Sequence, residues 1–157
     1  KKGRSFVWEA GFGHSKRKDT AIRSNNTYTL GGRWSRPVKN GDRLSWDTSL
    51  TRTDSDSRAI AHTKVNAGLQ YAFAQPVLGA QALISIDGEG RRYDDPLYAP
   101  QARRDVKATV SGSLLFVDFD TYGFAPKLTL EASRTNSNIT RFETKNFGLT
   151  IGFQSLF

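Results

Sequence analysis

The sequence predicts an all-β fold: a transmembrane antiparallel up-and-down β-barrel, with about eight strands in this chain, either closed by themselves or part of a larger barrel. Three observations carry that expectation. Apolar and polar residues alternate with period two along nearly the whole chain, in segments separated by turn-rich stretches. The segments run to about 10–14 residues, where strands of soluble proteins average about 5–6 and a membrane-crossing strand needs about 9–11. Their polar faces also carry charges in mid-strand, namely Arg33, Asp47, Lys107, Lys127 and Glu131. Such charges must meet water or an opposite charge, because burying them unpaired is prohibitive. A soluble β-sandwich also alternates, but it has shorter strands and no place for those charges.

The segments follow in order. Phe6, Trp8, Ala10 and Phe12 oppose Val7, Glu9, Gly11 and Gly13. Tyr28, Leu30, Gly32 and Trp34 oppose Thr29, Gly31, Arg33 and Ser35. Leu44, Trp46, Thr48 and Leu50 oppose Arg43, Ser45, Asp47 and Ser49. Val65, Ala67, Leu69, Tyr71 and Phe73 oppose Asn66, Gly68, Gln70 and Ala72. Ala80, Ala82, Ile84 and Ile86 oppose Gln81, Ser85, Asp87 and Glu89, with Leu83 an exception on the polar side. Val106, Ala108, Val110, Gly112, Leu114 and Phe116 oppose Asp105, Lys107, Thr109, Ser111 and Ser113. Phe124, Pro126, Leu128, Leu130 and Ala132 oppose Lys127, Thr129, Glu131 and Ser133. The last segment sets Phe147, Leu149, Ile151, Phe153 and Phe157 against Asn146, Gly148, Thr150, Gly152 and Gln154. No segment reads as a helix.

Composition is compatible with that reading and removes others. The apolar fraction is 37% and mean hydropathy is −0.53. No window approaches the length of an apolar membrane helix, a test that strands with alternate polar residues escape. Cysteine is absent, so there is no disulfide framework and no thiolate metal site. Three Trp, five Tyr, ten Phe and 14 Gly suit aromatic girdles and a tightly packed lumen. The net charge of +8 suits attraction to lipopolysaccharide phosphates or to an acidic passenger. No basic helix or recognition motif supports a nucleic-acid partner. Lys1-Lys2-Gly3-Arg4 leads directly into strand-like sequence without a signal peptide, so the chain is expected to be a mature form or a fragment.

A polar residue, then a glycine, then apolar residues and a closing aromatic make up the last segment, through Gly148, Ile151, Phe153 and Phe157. It resembles the C-terminal signal that the barrel-assembly machinery reads on bacterial outer-membrane proteins. The resemblance implies an integral protein of the Gram-negative outer membrane, in contact with its lipid and lipopolysaccharide, with Phe157 at the periplasmic rim. Extracellular connections are then expected at Lys16–Asn26, Asp54–Ala61, Gly88–Arg104 and Arg134–Arg141. Periplasmic connections are expected at Pro37–Asp42, Pro76–Gly79 and Asp118–Ala125, giving long connections on one side and short ones on the other.

The last third carries a more specific pattern. Gly90-Arg91-Arg92-Tyr93-Asp94-Asp95-Pro96 is followed by Arg103-Arg104-Asp105, then Gly123-Phe124-Ala125-Pro126, then Ser137-Asn138-Ile139. This order resembles the C-terminal barrel of the surface lipoprotein assembly modifier family, over roughly Gly88 to Phe157. The resemblance implies a non-enzymatic protein that translocates or assembles lipoproteins at the cell surface, with a lipoprotein passenger as partner. It also implies that residues 1–157 are the C-terminal portion of a longer protein, since family members carry helical repeats and further strands. The other reading is a small closed outer-membrane barrel, either a pore or a lipid A-modifying enzyme.

Arg91, Arg92, Arg103 and Arg104 cluster around the longest loop beside Asp94, Asp95 and Asp105. With the mid-strand residues Lys107, Lys127 and Glu131, they are the candidate lumen and gate residues, either as a salt-bridged plug or as a passenger contact. Other motifs carry less. Gly11-Phe12-Gly13-His14-Ser15-Lys16 lacks the spacing of a phosphate loop. Asp54, Asp56, Asp94 and Asp95 read as solvated loop carboxylates before calcium ligands. His14 and Ser15 are adjacent, so a strand points them to opposite faces and they cannot pair as base and nucleophile. Trp8, Trp34, Trp46, Tyr28, Tyr71 and Phe153 read as girdle residues. No cofactor, metal or catalytic residue is expected.

Overall fold

The computed structural model describes residues 3–15, 24–57, 60–94, 100–119 and 122–156, and these form one eight-stranded antiparallel sheet. The strands are β1 (Ser5–Ser15), β2 (Asn25–Pro37), β3 (Arg43–Ser55), β4 (His62–Ala72), β5 (Gln81–Tyr93), β6 (Arg104–Leu115), β7 (Phe124–Ser137) and β8 (Thr144–Ser155). Each pairs with the next in sequence, so the topology is an up-and-down meander. The sheet is open: β1 and β8 are its two edges and do not pair with each other. Among the described residues the only helical elements are single 3₁₀ turns at Lys39–Gly41, Val117–Phe119 and Thr140–Phe142.

The strands form where alternation and turn chemistry agree. At the end of the sheet joining β2–β3, β4–β5 and β6–β7, here the lower rim, each connection contains a residue and a glycine in the left-handed region. The pairs are Asn40 (φ 62°) with Gly41, Leu78 (φ 53°) with Gly79, and Tyr122 (φ 56°) with Gly123. Consecutive positive φ values suit the right-handed twist of paired strands, and glycine adopts them without a steric penalty. Tight reversal at these points sets the register of every hairpin from below.

Burial is inverted relative to a soluble domain. Phe6, Trp34, Trp46, Leu69, Ile86, Val110, Ala132 and Phe147 form one continuous row across all eight strands. That face is exposed: Trp8 is 71% accessible, Phe147 78% and Ile151 74%. Among the described residues the buried apolar ones are alanines, Ala61, Ala80, Ala82 and Ala125, and no large side chain is fully buried. Ser35, Thr51, Thr53, Ser85, Asp105 and Ser133 are buried instead, all on the other face. Polar side chains crowded together and apolar ones splayed apart are what a sheet curled with its polar face inward gives. Within the eight strands, the face assignments made from alternation agree with this register.

The strands run further than the alternation predicted at the opposite, upper rim. Gly88–Tyr93, expected in a loop, belong to β5, and Arg134–Ser137 belong to β7. Consequently the upper connections are 16–24, 56–61, 94–103 and 138–143, against 38–42, 73–80 and 116–123 below. The expected contrast between long and short connections is therefore slight. Ladder hydrogen bonding continues past the apolar stripe because paired backbone groups gain equally from polar residues. Phe157 lies outside the described residues, as does Asp95; Leu156 still donates its N–H to the Gly123 carbonyl at 2.9 Å.

Candidate functional site

The inward face is polar over most of its height, with Val7, Ala72, Leu83, Leu115 and Ala125 as apolar exceptions toward the lower rim. One row across it reads Glu9, Gly31, Ser49, Asn66, Glu89, Lys107, Thr135 and Thr144. Hydroxyls link neighbouring strands: Thr29 with Thr51 at 3.2 Å, Ser85 with Ser111 at 2.8 Å and Ser113 with Thr129 at 3.0 Å. Near the lower rim Lys127 Nζ donates to Gln154 Oε1 at 3.2 Å.

In mid-sheet, Asp47 on β3 and Asp87 on β5 flank Gly68 on β4, the three sharing one row. The glycine makes room for both carboxylates. A Cβ built there would sit 2.7 Å from Asp87 Oδ1 and 3.0 Å from Asp47 Oδ1. The two acids border a hollow of about 420 Å³ that Glu89, Glu131 and Lys107 also line. Four carboxylates against one ammonium make this part of the face acidic, within a chain of net charge +8.

Higher up, opposite charges alternate. Arg91 donates from Nη2 to Glu89 at 2.8 Å and from Nη1 to the Tyr93 hydroxyl at 3.1 Å, and Lys64 lies 4.0 Å from the same Glu89 carboxylate. At the rim itself, Arg103 donates from Nε and Nη2 to both Asp105 oxygens, at 3.0 and 2.5 Å. Its guanidinium is 3.5 Å from the Phe142 ring centre and 4.7 Å from that of Tyr93. Asn138 accepts from the Arg104 N–H at 2.8 Å and donates to the Ala102 carbonyl at 3.0 Å. One arginine thus fastens the end of the 94–103 connection to the 138–143 connection, over the mouth of the polar face.

The predicted site residues divide between the two faces. Arg91, Asp105, Lys107, Lys127 and Glu131 are inward, and Arg103 joins them at the rim. Arg92 and Arg104 do not: period two sends them to the outward face. Treating four arginines as one loop cluster overlooked the pleat that separates them. Glu89, Lys64, Tyr93 and Phe142 were missed, because only strand register and the folded-back connection bring them to the arginines. Of the assembly-signal residues, Ile151 and Phe153 are outward and exposed, and Gly148 sits on the inward row opposite Glu131.

The remaining candidates have structural partners. Asp54 and Asp94 converge on Arg52, at 2.6 and 2.9 Å, and this hydrogen bonding holds the Asp94 carboxyl below its ordinary range. His14 is outward, 2.6 Å from Asn26 Oδ1, whereas His62 is inward, its Nδ1 2.7 Å from the Ile60 carbonyl. Among the described residues neither histidine meets a serine hydroxyl, and no three His, Asp or Glu converge as a metal site.

Fold and site together define a class: an up-and-down β-meander with an apolar outer face and a charged, partly salt-bridged inner face. The chain belongs to the surface lipoprotein assembly modifier family, whose model matches residues 23–157. The match extends well upstream of Gly88, where the resemblance read from the sequence began. No curated protein and no solved structure matches the chain.

Proposed function

We propose that this sheet is part of the wall of an outer-membrane β-barrel that translocates or assembles lipoproteins at the surface of a Gram-negative bacterium. The observation that carries the reading is the inverted burial of a chain belonging to this family. A single sheet with one whole apolar face exposed is unstable against association in water, and hydrocarbon is the solvent that removes the penalty. The strands, 11 to 14 residues long, are sufficient to cross it. Residues 1–157 are then the C-terminal portion of a longer protein, whose further strands pair with the free edges of β1 and β8. An unpaired edge within hydrocarbon is excluded by the cost of bare N–H and C=O groups.

In this reading the lower rim is periplasmic, the upper rim is extracellular, and the barrel acts without chemistry on its passenger. The acidic patch around Asp47, Asp87 and Glu131 lines the path, and the Arg103 junction covers its outer mouth. A passenger displaces that junction or leaves beside β8. The barrel-assembly machinery inserts the protein by reading the end of β8.

Photocrosslinkers at Lys107, Lys127 or Glu131, compared with Leu69 or Leu130, test the path on the full-length protein carrying a stalled lipoprotein. Adducts at the inward positions are expected. Adducts confined to Leu69 and Leu130 sink the luminal route.

A further inference from the structure

On the outward face, immediately above the apolar belt at the upper rim, two pairs of cations stand directly opposite one another. Arg92 of β5 faces Arg104 of β6, and Arg134 of β7 faces Lys145 of β8. All four are exposed. Like charges at directly opposed positions destabilise a sheet, so two such pairs near one rim call for a counter-charge. Within the described residues no carboxylate lies within 4 Å of any of the four; Arg134 Nε reaches only the Asn136 amide oxygen, at 2.9 Å. Glu143 borders the same hollow as Arg134 and Lys145 without pairing with either.

The neighbouring outward cation is handled differently. Arg52, on the Arg92–Arg104 row, is neutralised within the chain by Asp54 and Asp94. Along the upper rim of this face, the described cations without an ion-pair partner within 4 Å thus stand on β5 to β8, with Asp94 acting on Arg92 only from a longer distance. Below Arg92 the wall is low. Gly90 and Gly88 face Val106 and Ala108, and a Cβ on Gly90 would touch nothing within 4 Å. Cations directly above a smooth apolar strip match a lipid whose anionic head lies above its acyl chain.

We infer that these two pairs bind a phosphate-bearing lipid of the leaflet at the upper rim, one phosphate to each pair. Arginine's planar fork takes phosphate oxygens bidentately, and Lys145 adds a point charge. The pairs are offset by four residues, about 13 Å along the strands, too far for one phosphate to bridge both. The offset also follows the lower edge of the charged zone, which descends from Arg92 and Arg104 to Arg134 and Lys145 as the apolar belt crosses tilted strands. The inference rests on the membrane reading above.

The test uses the full-length protein inserted in phosphatidylcholine nanodiscs, with lipid retention read by native mass spectrometry. The probes are bisphosphorylated lipid A, its dephosphorylated form, and inorganic phosphate as competitor. Retention of the bisphosphorylated form is expected to weaken on the order of tenfold in R92Q/R104Q and in R134Q/K145Q, and to stay unchanged in K39Q at the lower rim. In lipid-free detergent the two double variants are expected to melt no earlier than the wild type, because each relieves a repulsion; this separates lost binding from misfolding. Equal retention of the dephosphorylated lipid, unchanged retention in both double variants, or displacement by inorganic phosphate alone overturns the inference. Those results leave the barrel intact, whereas failure of the wild type to insert into nanodiscs overturns the membrane reading as well.

Discussion

The Arg103 guanidinium lies 3.5 Å from the centre of the Phe142 ring while its nitrogens hold both oxygens of Asp105. The last residue of the β5–β6 connection and a residue from the β7–β8 connection are thereby joined over the inner face. Asp105 is only 7% accessible, so its charge depends on this partner. Replacing Arg103 with Ala removes the cation–π contact and leaves a buried carboxylate without its fork, at a cost of about 1–3 kcal/mol. The expected readout is a lower melting temperature and faster proteolysis at residues 138–143. R103K keeps the charge but not the fork, and is expected to fall between wild type and R103A. Unchanged proteolysis in R103A would mean that the contact does not hold the rim.

Asp42 gives a pH dependence at the opposite rim. Its Oδ1 accepts from the Ala74 N–H at 2.8 Å and its Oδ2 from the Tyr71 hydroxyl, joining the β2–β3 and β4–β5 connections. The Ala74 N–H first, and the Tyr71 hydroxyl second, hold the carboxyl below its ordinary 3.8. A carboxyl depressed in the folded state contributes stability that is present above the unfolded value and lost as pH falls through the folded one. Wild type is therefore expected to be more stable than D42N at neutral pH, with the gap closing only below about pH 4. A gap independent of pH down to acid unfolding would contradict the assignment.

Leu69 and Gln70 test which face meets hydrocarbon. They are adjacent on β4 and point to opposite sides, with Leu69 46% exposed on the apolar belt. Lysine at a lipid-facing midplane position costs about 2–4 kcal/mol, whereas on a polar lumen wall it costs little. L69K is expected to lower assembly into the membrane and the unfolding midpoint in bilayers, and Q70K to leave both near wild type. Equal effects would argue against a hydrocarbon surround.

Gly68 is a packing prediction. An added methyl group meets three carboxylate oxygens, one of Asp87 at 2.7 Å and both of Asp47 at 3.0 and 3.1 Å, inside ordinary contact distance. Those oxygens end side chains that can turn aside, so G68A is expected to destabilise by no more than about 1 kcal/mol, and the branched G68V by more. In a D87A background the loss is expected to shrink, because the nearer oxygen is gone; a double-mutant cycle in chemical unfolding measures the coupling.

Much of this was legible beforehand because a strand's period is local. Whether Trp46 and Asp47 face opposite ways depends only on their being neighbours in a strand, so eight strands and two faces could be read residue by residue. Strand ends were less legible. Gly88–Tyr93 lose the apolar alternation but keep ladder partners on β4 and β6, and partners lie far away in sequence. The inner site was legible as residue types, not as contacts: nothing local relates Phe142 to Arg103, or Asp47 to Asp87.

The sequence by itself therefore determined the class of element, the side each residue takes and the family, since all three are written in short-range pattern. Only the tertiary structure decided the register, and register is a relation between segments that turn geometry and ladder hydrogen bonds settle together. It carried β5 on through Arg91 and Arg92, set Arg92 against Arg104, and closed Arg103 over Phe142.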